Sequence, residues 1–238
     1  MALSIDTVYQ KVLALANKEQ RGYITPQEFN LFANKAQLEI FDSYFHDVKT
    51  AYHKPIKTDM THGDNMDILS EKLQPFKTIS TSTPTADTVT GIYDSLITLP
   101  ANLYMINTLT RTEGEVPEIS EKEVLYTENN PLTKATKNRS VYVRRRNKQL
   151  QVYPIPLEST TYTLDYYKKP SKPEWNYVVV QGKALYNQNL SSNFELHDSE
   201  EEVLVTRILQ LAGVTIEKME LYQVAAADGA SIKQSQND

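Results

Sequence analysis

The sequence predicts an α+β protein, with a helical domain built from both ends of the chain and a β-rich, sandwich-like module inserted between them. Three observations predict it. Apolar residues recur at helical spacing up to about residue 75 and again after Ser199. Short alternating runs rich in Thr, Tyr and Val fill the middle. The period switches at Pro75 and switches back at Ser199. The expected divisions are residues 1–75 (helical, first part), 76–194 (β-rich insertion), 195–226 (helical, second part) and 227–238 (a polar tail).

The first helix is predicted to begin after Ser4, because Ile5, Val8, Val12, Leu15 and Ala16 fall on one face. A second begins at Thr25, a good N-cap, with Pro26 at the first helical position and Glu28 three residues beyond the cap. Its stripe of Phe29, Phe32, Ala33, Ala36, Ile40, Tyr44 and Phe45 carries it to about Asp47. A loop, AYHKPIKTDMTHGDN, leads to a short helical piece, MDILSEKL, ended by Pro75.

From Phe76 the pattern is extended. PFKTISTSTPTADTVTG reads as an edge strand or loop, and SLITLPANLYMINTLTRT as two apolar runs broken at Pro100. SEKEVLYTE has a capping box in Ser120 and Glu123 and is expected to be a short helix. VYVRRRNKQLQVYPI is a hairpin turning near Arg146–Lys148, and TTYTLDYYKKP is a strand. WNYVVVQGKALYN is a second hairpin, turning at Gln181–Gly182. Ser199 is expected to cap EEEVLVTRILQLAGVTIE, whose first-turn Glu200, Glu201 and Glu202 suit the positive end of the helix dipole.

Composition narrows the function classes. Forty per cent apolar and 23% charged residues in 238 suit an ordinary globular protein. No apolar run approaches a membrane span, and the first residues lack the pattern of a signal peptide, so no membrane partner is expected. The absence of cysteine excludes disulfides and thiolate–zinc sites and fits synthesis in a reducing cytoplasm. A net charge of −5 argues against nucleic-acid binding over the whole surface. Seven glycines leave little material for phosphate-binding loops.

The segment from Asn17 to Glu28 resembles an EF-hand calcium loop, with Glu19 and Glu28 as carboxylates and Gly22 at the turn. Arg21 stands at a ligand position and Pro26 interrupts the loop, so a connector between two helices is the better reading. His46, His53 and His62, with Asp47, Asp59 and Asp64, lack the regular spacing of a metal site. No G-x-S-x-G, Walker, H-E-x-x-H or G-x-G-x-x-G motif occurs. No enzyme, cofactor or metal is expected. Arg144, Arg145 and Arg146 form the one basic run, on a strand whose alternation keeps all three from sharing a face. They are the candidate contacts to a nucleic-acid backbone or an acidic partner, with Arg145 expected beside Val141 and Val143 on the buried face. Arg144 and Arg146 are expected with Tyr142 on the open face.

The order RGYITPQEFNLFANKAQLEIF, LITLPANLYMINTL, QLQVYPIPLESTTYTLDYYKKP and NFELHDSEEEVLVTRILQLAGV resembles the head-to-tail connector, or tail-adaptor, proteins of short-tailed phages, including ring proteins of crAss-like phages. The resemblance touches most of the chain. It implies a structural virion protein in the tail or neck, made in the bacterial host cytoplasm. Such proteins form a ring, usually twelve-membered, between the portal and further tail or ring proteins, with non-specific DNA contact in the lumen as a further expectation. It also implies that the C-terminal segment, with Ile232, Lys233 and Gln234, docks into the portal. The alternatives are a degenerate EF-hand-type calcium-binding module and a partner-binding α+β protein outside phages.

Overall fold

The computed structural model describes residues 3–18, 24–53, 60–82, 96–112, 114–146, 148–155 and 160–215. The fold is α+β, and the chain separates into two compact units: Met1–Pro75 with Pro170–Asp238, and Phe76–Lys169.

The helical unit opens with α1 (Ile5–Lys18), α2 (Pro26–His53) and α3 (Met60–Leu73). On α1, Ile5, Val8, Tyr9, Val12 and Ala16 are buried, while Leu15 is left exposed. The α2 start is the expected capping box. The Glu28 carboxylate accepts from the Thr25 backbone N–H at 2.9 Å, and the Thr25 hydroxyl accepts from the Glu28 N–H at 3.3 Å. The α2 helix runs past Asp47 to His53, and α3 starts inside the stretch expected to be a loop. Both extensions are polar helix that apolar periodicity alone does not mark.

The inserted unit holds two antiparallel sheets. It begins with β1 (Lys77–Ser82), β2 (Leu96–Thr98), β3 (Leu103–Arg111), β4 (Gly114–Glu115) and the helix α4 (Glu121–Asn129). Then follow β5 (Val141–Arg145), β6 (Gln149–Tyr153) and β7 (Tyr162–Lys168). One sheet has the order β1-β7-β3-β4 and the other β2-β6-β5. Residues of both sheets share one core: Ile106, Leu109, Tyr162, Leu164 and Tyr166 from the first, Ile97, Tyr142, Leu150 and Val152 from the second. Alternation alone puts Leu150 and Val152, and Tyr162, Leu164 and Tyr166, on single faces. On β3 the core residues Ile106 and Leu109 are three apart, an odd spacing that a strict pleat sends to opposite faces. A register shift against β7 between Ile106 and Thr108 restores the phase.

The chain enters this unit on β1 and leaves it on β7, which pair antiparallel with Lys77 opposite Tyr167. Entry and exit therefore lie about one strand spacing, ~4.8 Å, apart. The return to the helical unit comes at Pro170, not at 195 as expected from the sequence. The second hairpin, β8 (Tyr177–Val180) with β9 (Lys183–Tyr186), thus belongs with the helices. Period-2 alternation identified its strands correctly but carries no information about which core they join.

The helix α5 (Glu201–Thr215), the last element among the described residues, packs against α1 and α2. Its start differs from the expected Ser199 cap. The His197 ring nitrogen accepts from the Ser199 N–H at 3.3 Å and heads a short 3-10 turn, Asp198–Glu200. Two inward hydrogen bonds from Gln37 on α2, buried completely, fasten the returning chain. Its Nε2 donates to the Ser171 carbonyl at 2.7 Å, and its Oε1 accepts from the Glu195 N–H at 3.2 Å.

Candidate protein interface

The β8–β9 hairpin turns where the sequence predicts. Gln181 and Gly182 have φ of 50° and 77°, the paired left-handed conformation of a type I′ turn. Only Gly occupies that region without a steric cost, which accounts for Gly182 at the second position. The ladder pairs Tyr177 with Tyr186, Val178 with Leu185, Val179 with Ala184 and Val180 with Lys183. Tyr177, Val179, Ala184 and Tyr186 share one face; Val178, Val180 and Leu185 share the other.

The base of the hairpin is held by the single tryptophan of the chain. Trp175 is buried and lies 5.6 Å from the Tyr177 ring and 5.8 Å from the Tyr186 ring, stacked on both. Its other neighbour is Tyr9 of α1, at 4.3 Å, which meets Phe29 of α2 edge-on at 4.8 Å. The indole N–H donates to Asp6 at 3.0 Å. Asn30 of α2 clamps the Trp175 backbone, accepting its N–H at 2.8 Å and donating to its carbonyl at 3.1 Å. An aromatic stack whose central Trp175 has its indole N–H, backbone N–H and carbonyl all hydrogen-bonded makes a stiff pedestal.

Beyond that pedestal the hairpin is apolar and open. Val178 is 48% exposed, Val179 63%, Val180 47% and Leu185 52%. Three consecutive valines alternate between the two faces of the strand, and here neither face is fully covered. Residues 175–194 contain one charged residue, Lys183, whereas 23% of the whole chain is charged. A groove of about 440 Å³ runs beside the hairpin, lined by Gln10 and Leu13 of α1 and by Ala184, Leu185 and Tyr186 of β9. Largely apolar, with a single charge at Lys183, and rigidly based, the hairpin is the strongest interaction surface among the described residues. The sequence predicts the hairpin but not its exposure; the scarcity of charge from 175 to 194 is the one local hint.

The arginine run divides as alternation requires, with one difference. Arg145 is half-buried and paired: it donates to Glu121 at the head of α4, to Gln151 at 2.7 Å and to the Tyr153 hydroxyl at 3.2 Å. Arg144 is exposed and bound to Glu118 at 2.9 Å. Arg146 is exposed on the turn. Tyr142, expected on an open face, is buried. Its face is the inner one, packed into the core shared by the two sheets, and the Val141–Val143 face is buried as well. The edge of β5 is covered by chain on the way to α4: Tyr142 donates its N–H to Pro117 at 3.0 Å and accepts from the Ile119 N–H at 2.9 Å. Burial and the adjoining Glu118 carboxylate, which accepts from the Tyr142 hydroxyl at 3.1 Å, push that hydroxyl up to about 12. Two of the three arginines thus neutralise carboxylates within their own unit.

Glu200, expected to serve the helix dipole, is buried instead and pairs with Lys72 of α3 at 2.7 Å. Glu201 pairs with Lys11 of α1 at 2.9 Å. The Glu28 carboxylate, which would close a calcium loop, is taken up in the α2 cap. Residues 19–23 of that segment, the side chains of His53, His62 and Asp64, Asp59, and the tail with Ile232, Lys233 and Gln234 lie outside the described residues. Among the described residues no three His, Cys, Asp or Glu side chains cluster to hold a metal, and no helix is long and apolar enough to cross a membrane.

No protein-family model matches the chain. No curated protein matches it either.

Proposed function

We propose that the chain is a structural ring protein of a phage virion, an adaptor between the portal and the tail of a short-tailed phage. The observation that carries this reading is the hairpin β8–β9, whose one charged residue is Lys183, with four large apolar side chains about half exposed or more on an aromatic pedestal. A protein that leaves such a surface open is built to have it covered by protein, since patches of that kind mark interfaces. The division of the chain supports the same reading, because a helical unit made from both arms around an inserted β-unit is the arrangement expected from the sequence that carries the resemblance. Ring formation needs head-to-tail contacts that close by rotation. In this role the polar tail from 227 docks on the portal, and Arg146 faces a neighbouring protein.

Native mass spectrometry of the purified chain, alone and with its portal, tests the reading. One discrete high-order species, appearing alone or on the portal, is the expected result. A monomer at all concentrations in both samples would overturn it.

A further inference from the structure

We infer that the β8–β9 hairpins of successive copies join edge to edge, the outer edge of β8 in one copy pairing with the outer edge of β9 in the next. This rests on the ring reading above and names the contact that builds the ring.

The first ground is the ladder. The hairpin is a two-stranded sheet, and among the described residues no strand lies beside either outer edge. With a two-residue turn, Val180 and Lys183 form a hydrogen-bonded pair, so the backbone groups of Val179 and Ala184 point away from the hairpin. Two-stranded ribbons are marginal in water and unprotected apolar edges invite pairing. Soluble proteins blunt such edges with charge, proline or a bulge. Tyr177–Val180 has none of these, and on β9 the one such residue is Lys183, next to the turn.

The second ground is charge, and it selects the occupant. The β-unit, residues 76–169, has 12 Lys and Arg against 10 Asp and Glu. The remaining residues, which form the helical unit, have 13 against 20. Two helical units therefore repel each other, and a contact between them is least opposed where charge is absent. The 20 residues from 175 to 194, with Lys183 alone, are such a place. A foreign partner of opposite sign would be met by acidic side chains, not by valines. A second copy of this chain fits.

The third ground is that the hairpin offers two unlike edges, β8 on one side and β9 on the other. Pairing β8 to β9 leaves one free edge of each kind at the ends, so addition continues until the circle closes. A two-fold contact, β8 to β8, stops at a dimer.

The chain has no cysteine, so single thiols can be placed at will. Val179→Cys and Ala184→Cys copies, each checked for wild-type circular dichroism and Trp175 fluorescence, are mixed at high dilution, concentrated and treated with a short bifunctional thiol cross-linker. The expected result is a covalent pair in the mixture and at most a trace in either variant alone. A pair formed by Val179→Cys with itself would overturn head-to-tail joining. Absence of any cross-link, with the oligomer intact by native mass spectrometry, would overturn the edge contact and leave the ring reading standing. A wild-type chain that stays monomeric alone and with the portal would overturn both. In a second arm, Val179→Lys places a charge on the open face, and the concentration for half-assembly should rise at least tenfold. Unchanged assembly of a normally folded Val179→Lys protein would count against the contact.

Discussion

Glu28 shows how much one side chain decides. Its carboxylate accepts from both the backbone N–H and the hydroxyl of Thr25, which holds its pKa below the ordinary 4.5. A depressed carboxylate contributes stability above its unfolded pKa and loses it as pH falls through the folded one. Glu28→Gln should therefore be less stable than wild type at pH 7, and the gap should close below about pH 4; denaturant melts at both pH values check it. Glu200 is a different case, a carboxylate 4% exposed and matched by Lys72. Lys72→Ala leaves that charge buried without a partner and should cost about 3–5 kcal/mol. Lys72→Met with Glu200→Leu removes both charges and should recover most of the loss. Nearby, the Tyr44 hydroxyl is buried with no hydrogen-bond partner among the described residues, and burial, with Glu200 and Asp47 around it, drives its pKa far upward. Tyr44→Phe deletes a polar group whose desolvation nothing offsets, so chemical denaturation should find it neutral or more stable by about 1 kcal/mol.

At the scale of elements, the hairpin depends on its turn and its pedestal. Gly182→Ala puts a Cβ on a residue at φ 77°. The Cβ meets no atom within 4 Å, so the cost is backbone strain alone, about 1 kcal/mol. Asn30→Ala removes both partners of the Trp175 backbone and should cost about 2–4 kcal/mol, one unmet group at each end of the clamp. Trp175 is the only indole in the chain, so its fluorescence reports the two variants differently. Asn30→Ala should shift the emission toward that of a wetter indole, while Gly182→Ala, at the far end of the strands, should leave it unchanged. A red shift in Gly182→Ala would show that the pedestal is less independent of the turn than its stacking implies.

For the whole molecule, the insertion has its own core and enters and leaves on neighbouring strands. Residues 76–169 expressed alone should unfold in one cooperative transition. The reciprocal protein, with that stretch replaced by a short Gly-Ser linker, should retain the α1, α2, α5 packing because the two junctions are about one strand spacing apart. Far-UV circular dichroism and thermal melts of the two pieces check both. A molten insertion would place part of its stability outside the shared core of Leu150, Val152, Leu164 and Tyr166.

Much of this was readable from local chemistry. Thr25, Pro26 and Glu28 start a helix wherever they stand, because the cap is made within four residues. Gln181–Gly182 makes a tight turn for the same reason, and alternation alone places Leu150 with Val152 and Tyr162 with Leu164. The α+β class follows from those periods. The tertiary structure decided what depends on residues far apart in the chain. The move of the boundary from 195 to 170 comes from Trp175 meeting Tyr9, and from Gln37 meeting Ser171 and Glu195. Tyr142 turned inward because a second sheet lies over its face, which no pattern within β5 announces. Glu200 became a buried ion pair because Lys72 arrives from α3. The exposure of Val178–Val180 is of the same kind: a strand's composition says that it can be buried, and only the packing of everything else says that it is not.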